Sequence, residues 1–392
     1  MKALALAMAV LAGFATLEPV RAAEDAFRLP PYAHAYEPQN VDERGLWMEA
    51  DERERQIRDS ALRIRDGNLE AYLRDVLCRE VGQDRCLGVR VYAMEIPMFN
   101  AAMMANGSME VWSGLLLRVR TEAELAAILG HEFAHFELRH SLNGFKNKRG
   151  ASDAMAWISV LGGISNTPVG GANLSLLGSV YRFGRDQESQ ADLLGLKYLA
   201  NSGYPANSAS QVWQTLMAEE DASALGRKQR PRQKYTAGFF DTHPASFERA
   251  ARLAQEAAKL PVGGDARTKE YQQAIAPYLP RFLSAQVKLN DFGGSEYILS
   301  NLSQRSGWTG DLLFARAELH RARATPRDLQ LASQFYREAK TAGYSNPDLD
   351  RNLGLSLLRN GQTEEGRAAL SSYLAAYPEA SDAKAINALL GN

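Results

Sequence analysis

Apolar residues recur at helical spacing along most of the chain and alternate in only one short region. From about Asp42 to Gly82, Leu46, Met48, Ile57, Leu62 and Ile64 are interspersed with acidic and basic residues, and Leu69, Tyr72, Leu73, Val76 and Leu77 form a second stripe over 69–81; both predict helices. Alternation takes over at Val89, Val91 and Ala93. Asn100–Met104 and Met109–Val111 follow, separated by Asn106-Gly107, which predicts strands joined by a hairpin. Gly114–Val119 then leads into a helix opened by Thr121 with Glu124 three residues later, a capping pattern, and continued by the apolar run Ala123–Leu129.

Residues 154–181 are rich in Ala, Gly, Leu and Ser and are broken by Asn166-Thr167-Pro168 and Gly170-Gly171. Neither half reaches the roughly 20 residues of a bilayer span, so the stretch reads either as a partly apolar flap or as a buried helix pair. A helix over 182–200 carries Leu193, Leu194, Leu196, Tyr198 and Leu199 and ends at Gly203-Tyr204-Pro205; another covers 245–259, and Pro261-Val262-Gly263-Gly264 marks a boundary. Beyond it the pattern is wholly helical. Leu312–Leu319 and Ala332–Ala339 flank a break at Thr325-Pro326, and Leu349–Leu358 and Ala368–Leu374 flank one at Asn360-Gly361. The spacing is that of tetratricopeptide-like helix pairs, with 270–305 as an atypical first pair; an unrelated helical bundle is the competing reading.

Composition changes this picture little. The charge is near zero, at −1, which removes the polybasic footprint of nucleic-acid or anionic-membrane binding. The N-terminus matters more. Lys2, the apolar run Ala3–Ala15 and the small residues of Val20-Arg21-Ala22 read as an export signal cleaved after about Ala22, leaving no transmembrane span in the mature chain. In an exported protein the two cysteines, Cys78 and Cys86, suggest a disulfide, with two unpaired buried residues as the alternative.

The candidate chemistry sits at the end of the capped helix, at His131-Glu132-Phe133-Ala134-His135. Histidines four apart on a helix face the same way and can grip one Zn²⁺, and Glu132 beside the first is placed as general base on the attacking water. A hydrolytic zinc needs a third protein ligand. Glu188, on the helix after the motif, is the candidate, with Asp192 one turn on to hold the free ring nitrogen of His131; an ordinary acidic helix start is the competing reading of Glu188.

His131-Glu132-Phe133-Ala134-His135, Glu188-Ser189-Gln190-Ala191-Asp192 and Thr242-His243-Pro244, with Asn100-Ala101 and Gly114-Leu115-Leu116, resemble the M48 zinc peptidases over about residues 42–260. The resemblance implies one zinc per chain on His131, His135 and Glu188, Glu132 as the base, and His243 as a residue able to approach and occlude the metal. Gln190 departs from it, since relatives often carry Glu there. Arg249, one turn into the next helix, is a weaker candidate for the oxyanion.

The expected architecture is a leader (1–22), a mainly α, α+β zincin-like peptidase domain with a small sheet (23–262) and an all-α tetratricopeptide-like domain (263–392). The expected activity is zinc-dependent endoproteolysis of envelope proteins in the periplasm, with the repeats recruiting envelope or outer-membrane assembly partners and with no nucleic-acid partner. The alternative is chiefly a chaperone or scaffold with a latent protease site.

Overall fold

In the computed structural model, residue 29 and residues 37–142, 184–231 and 247–391 are described. The leader, the stretch 154–181 and His243 lie outside them. Helix α1 (Val41–Asp59) is opened by Asn40, whose side chain accepts from the Glu43 N–H at 3.0 Å, and α2 (Gly67–Val81) by Asp66, which accepts from the Asn68 N–H at 2.9 Å. Between them the helical pattern is interrupted because the link pairs with the sheet: the Ile64 N–H donates to Ala93 at 2.8 Å and the Glu95 N–H to Leu62 at 2.7 Å. Cys78 in α2 is disulfide-bonded to Cys86 at the end of the short helix α3 (Gln83–Cys86), with Cα atoms 5.2 Å apart.

The sheet has three strands, β1 (Arg90–Met94), β2 (Ala101–Met103) and β3 (Ser108–Trp112), in the order β1-β3-β2. The hairpin β2–β3 is antiparallel, with Ala102 opposite Glu110, and turns through Gly107 at φ +82°. β1 joins the other side of β3 in parallel, Tyr92 opposite Glu110. β3 is therefore central and buried throughout, while β2 is an edge strand lying against the motif helix.

The lead-in to the motif helix is itself a short helix, α4 (Ser113–Arg118), which follows β3 directly. Gly114 makes this possible. A Cβ there would come within 2.3 Å of the Met98 backbone, and the Gly114 N–H donates to Ile96 at 2.9 Å. Helix α5 (Glu122–Glu137) starts at the predicted cap: the Thr121 hydroxyl accepts from the Glu124 N–H at 3.1 Å, while the Glu124 carboxylate accepts from the Arg120 N–H, one residue before the cap, at 2.6 Å. Every residue of α5 is buried. Around it pack α2, α6 (Arg185–Ser202) and α7 (Ser208–Gly226), with α8 (Phe247–Ala257) against α6 and α7. Glu122, buried at the positive end of α5, accepts from Tyr72 at 3.0 Å and Tyr204 at 2.6 Å and pairs with Arg79 and Arg267, which pins the helix start from several sides.

The rest is helical: α9 (Thr268–Ile275), α10 (Leu279–Val287), α11 (Phe292–Ser306), α12 (Gly310–Arg323), α13 (Pro326–Thr341), α14 (Asp348–Arg359), α15 (Thr363–Ala376) and α16 (Ala383–Leu390). α12 packs on α13 and α14 on α15, as helix pairs joined at the breaks seen in the sequence. The apolar core that surrounds α5 runs from Ile64 to Leu319 and so includes Tyr271, Phe282, Ile298 and Leu312 from this helical region. A separate cluster around Leu313, Ala317, Tyr336 and Leu353 holds the following pairs. The mainly α fold with one small sheet and an all-α C-terminal region is the architecture expected.

Candidate metal centre

One helical turn separates His131 from His135, so both rings leave α5 on one side. Their Nε2 atoms are 3.1 Å apart. Helix α6 brings Glu188 to the same point, with its carboxylate oxygens 3.5 Å from each Nε2. Ligand atoms about 2.0–2.1 Å from a tetrahedral ion lie roughly 3.3–3.4 Å from one another, so the three residues fit a four-coordinate metal with one position left over. Among the described residues this is the one group of three or more such side chains able to hold a metal ion. All three are buried, as is Glu132.

The surrounding side chains fix these donors. Asp192, one turn beyond Glu188 on α6, lies with its carboxylate 3.2 Å from His131 Nδ1. Arg249 of α8 donates from Nε and Nη2 to the two Asp192 oxygens at 2.8 and 2.7 Å, and its Nη1 is 2.7 Å from Glu188. Its guanidinium lies over the Trp213 ring at 4.4 Å, and the same ring meets His131 edge to face. Burial alone raises the Asp192 pKa, but the charge of Arg249 and the hydrogen bonds from His131 and Arg249 outweigh it, so the carboxyl is held below its ordinary value. For His131 burial works downward, and Asp192 and Glu188 overcome it, raising the imidazole to about 9.

His140 belongs to the cluster and was not singled out from the sequence. It follows α5, where Arg139 adopts φ +55°, a left-handed conformation that turns the chain back on the helix. The His140 Nδ1 then lies 2.9 Å from His135 Nδ1, and its Nε2 lies 3.4 Å from Gln190 Oε1. Burial lowers its pKa against the hydrogen bond with Gln190. The only sequence hint was a third histidine soon after the motif; the turn at Arg139, invisible in a hydropathy pattern, decides where it points. Trp213 was likewise missed, as one more apolar residue of an Ala-rich helix. Of the expected site residues, His131, Glu132, His135, Glu188, Asp192 and Arg249 come together, and His243 lies outside the described residues.

Residues 64–257 match peptidase family M48. The chain is 32% identical over 159 residues to the metalloprotease LoiP of Escherichia coli K12, covering 39% of this chain and 57% of that one. It is 28% identical over 209 residues to a putative beta-barrel assembly-enhancing protease of Vibrio cholerae, covering 50% of this chain and 41% of the relative. It is also 24% identical over 356 residues to the beta-barrel assembly-enhancing protease of E. coli K12, covering 81% of this chain and 71% of the other. The chain thus spans about half the length of LoiP and of the Vibrio relative and more of the third. No helix of the described residues is long and apolar enough to cross a membrane.

Proposed function

We propose that the chain, whose residues 64–257 match peptidase family M48, is a zinc-dependent endopeptidase acting on envelope proteins. The observation that carries this reading is the convergence of His131, His135 and Glu188 at 3.1–3.5 Å beside Glu132. Two imidazoles and one carboxylate suit zinc. When bound, the metal supplies Lewis-acid polarisation of the scissile carbonyl and makes a water easier to deprotonate. In this assignment Glu132 takes the proton from the attacking water and passes it to the departing amine, and Asp192 holds His131 with its proton on Nδ1. Arg249 holds Glu188 and Asp192 in place through its buried ion pairs, in addition to the oxyanion role expected for it. Strand β2, at the sheet edge beside α5, is suited to receive a substrate backbone as an added strand. Cleavage of an unfolded protein substrate by wild type, and its loss in Glu132→Gln at unchanged zinc content, is the test.

His243 we assign as a latch able to occupy the metal's open position, on the strength of the family resemblance and of Pro244 fixing the backbone that precedes it. His243→Ala then raises peptidase activity with zinc retained; a fall in activity assigns the residue to transition-state stabilisation instead, and no change rejects both roles.

We place the protein in the periplasm, a reading supported by the N-terminal pattern, the Cys78–Cys86 bond and the similarity to beta-barrel assembly-enhancing proteases. A partner-recruiting role for the C-terminal helices is favoured by a groove of about 570 Å³ lined by Lys288, Asp311, Phe314, Arg321, Tyr344 and Asn352. The same groove supports the second reading, in which the chain acts chiefly as a scaffold for outer-membrane protein assembly.

A further inference from the structure

We infer that His140 and Gln190 are positioning residues for the metal ligand His135, fixing its tautomer through a chain of neutral hydrogen bonds; this rests on the metal-site reading above. A neutral imidazole carries a proton on one nitrogen and a lone pair on the other. His135 aims Nε2 at the ligand centre, 3.1 Å from His131 Nε2 and 3.5 Å from Glu188. To bind metal there, its proton must sit on Nδ1. That atom faces His140 Nδ1 at 2.9 Å, so His140 accepts at Nδ1 and carries its own proton on Nε2. The His140 Nε2 faces the Gln190 side-chain oxygen at 3.4 Å, an acceptor that suits this tautomer.

The backbone is arranged for the same end. Gln187 donates from Nε2 to the His140 carbonyl at 3.3 Å, while the Arg139 turn sets the ring against His135. One stretch of α6 therefore supplies the ligand Glu188, the Asp192 support for His131, and the Gln187 and Gln190 support for His140. The two histidine ligands are held differently. His131 leans on a carboxylate that Arg249 neutralises, and His135 on an uncharged imidazole. The neutral support adds no further negative charge to a buried centre that already holds Glu132, Glu188 and Asp192.

The experiment uses the full-length protein with zinc alone as ligand. Zinc affinity is measured by competition with a chromophoric chelator for wild type, His140→Ala, His140→Asn and Gln190→Leu, with circular dichroism to check folding. Loss of such a support costs about 10–100-fold in metal affinity. We expect that loss in His140→Ala, recovery of most of it in His140→Asn, whose side-chain oxygen can accept from His135, and a smaller loss in Gln190→Leu. In ¹⁵N-histidine spectra of the zinc-loaded wild type, His135 should carry its proton on Nδ1 and His140 on Nε2. Affinity within twofold of wild type in a folded His140→Ala overturns the inference, as does a zinc-loaded wild type with the His140 proton on Nδ1. The spectra decide the matter even if His140→Ala does not fold. Failure of wild type to bind zinc at all instead overturns the metal-site reading beneath it.

Discussion

At the scale of single residues, the centre is a balance of buried charge. Arg249 is almost fully buried and shares its donors between Asp192 and Glu188. Removing the cation from such a cluster leaves an excess of buried negative charge, a loss of about 3–5 kcal/mol for a buried pair. Arg249→Met should therefore lower the melting temperature strongly in the metal-free protein. A bound dication beside Glu188 supplies part of the missing positive charge, so the drop should be smaller with zinc. Melting curves with and without chelator check this, and an equal drop in both states contradicts it. Much of this arrangement was legible in the sequence: H-E-x-x-H puts two histidines on one helix face with a glutamate beside the first, and Glu188 and Asp192 share a helix face by the same rule. His140 and Arg249 were harder to read. Their roles depend on a left-handed turn at Arg139 and on how α8 packs on α6, and neither leaves a periodic trace.

Among the elements, caps and short turns were the readable features. The Thr121–Glu124 start of α5 and the Asn106-Gly107 hairpin follow from local chemistry. The parallel pairing of β1 with β3 and the helix at Ser113–Arg118 do not, since both are set by contacts distant in sequence, such as Gly114 against Met98. Asp328 shows how much one cap can carry. It lies in the first turn of α13, accepts from Thr325 and from Arg323, and its Oδ1 is 2.9 Å from His320 Nδ1. The hydrogen bonds from Arg323, although opposed by burial, hold its carboxyl well below the ordinary value of 3.8. A depressed carboxyl contributes stability that is fully present above the unfolded pKa and is lost as pH falls through the folded one. Asp328→Asn should cost roughly 1–3 kcal/mol at neutral pH. Its deficit should shrink as pH is taken below 3.8, where the wild-type carboxyl begins to lose its own advantage. Urea titrations at several pH values check this, and a deficit that does not change with pH contradicts it.

At the scale of the whole molecule, the junction between the part that carries His131, His135 and Glu188 and the C-terminal helices is a packed interior. The Ala123 N–H donates to Ala266 at 3.1 Å, Arg118 donates to Gln286 at 3.0 Å, Arg305 donates to the Arg120 carbonyl at 2.9 Å, and the Tyr271 hydroxyl donates to the Leu116 carbonyl. All of these reach the first turn of α5 or the segment that leads into it. A chain ending near Gly263 exposes the core that Tyr271, Phe282, Ile298 and Leu312 complete. Truncation after residue 263 should thus give a protein that melts early and binds zinc poorly, whereas truncation after residue 324 should keep both fold and metal. Equal stability of the two forms by calorimetry contradicts this. The helix pairs themselves were visible as breaks at Thr325-Pro326 and Asn360-Gly361. The shared core was not, because amphipathic stripes do not say which neighbour they meet.

The central claim is that Glu132 does chemistry at a zinc centre held by His131, His135 and Glu188. Its most direct test is single-turnover cleavage of an unfolded protein substrate by wild type and Glu132→Gln, with zinc measured in the same samples. Loss of a general base costs about 10²–10⁴-fold in rate. The prediction is one zinc per chain in both proteins, with cleavage slowed in Glu132→Gln by at least that lower factor. Wild-type rates in Glu132→Gln at full zinc occupancy would contradict it.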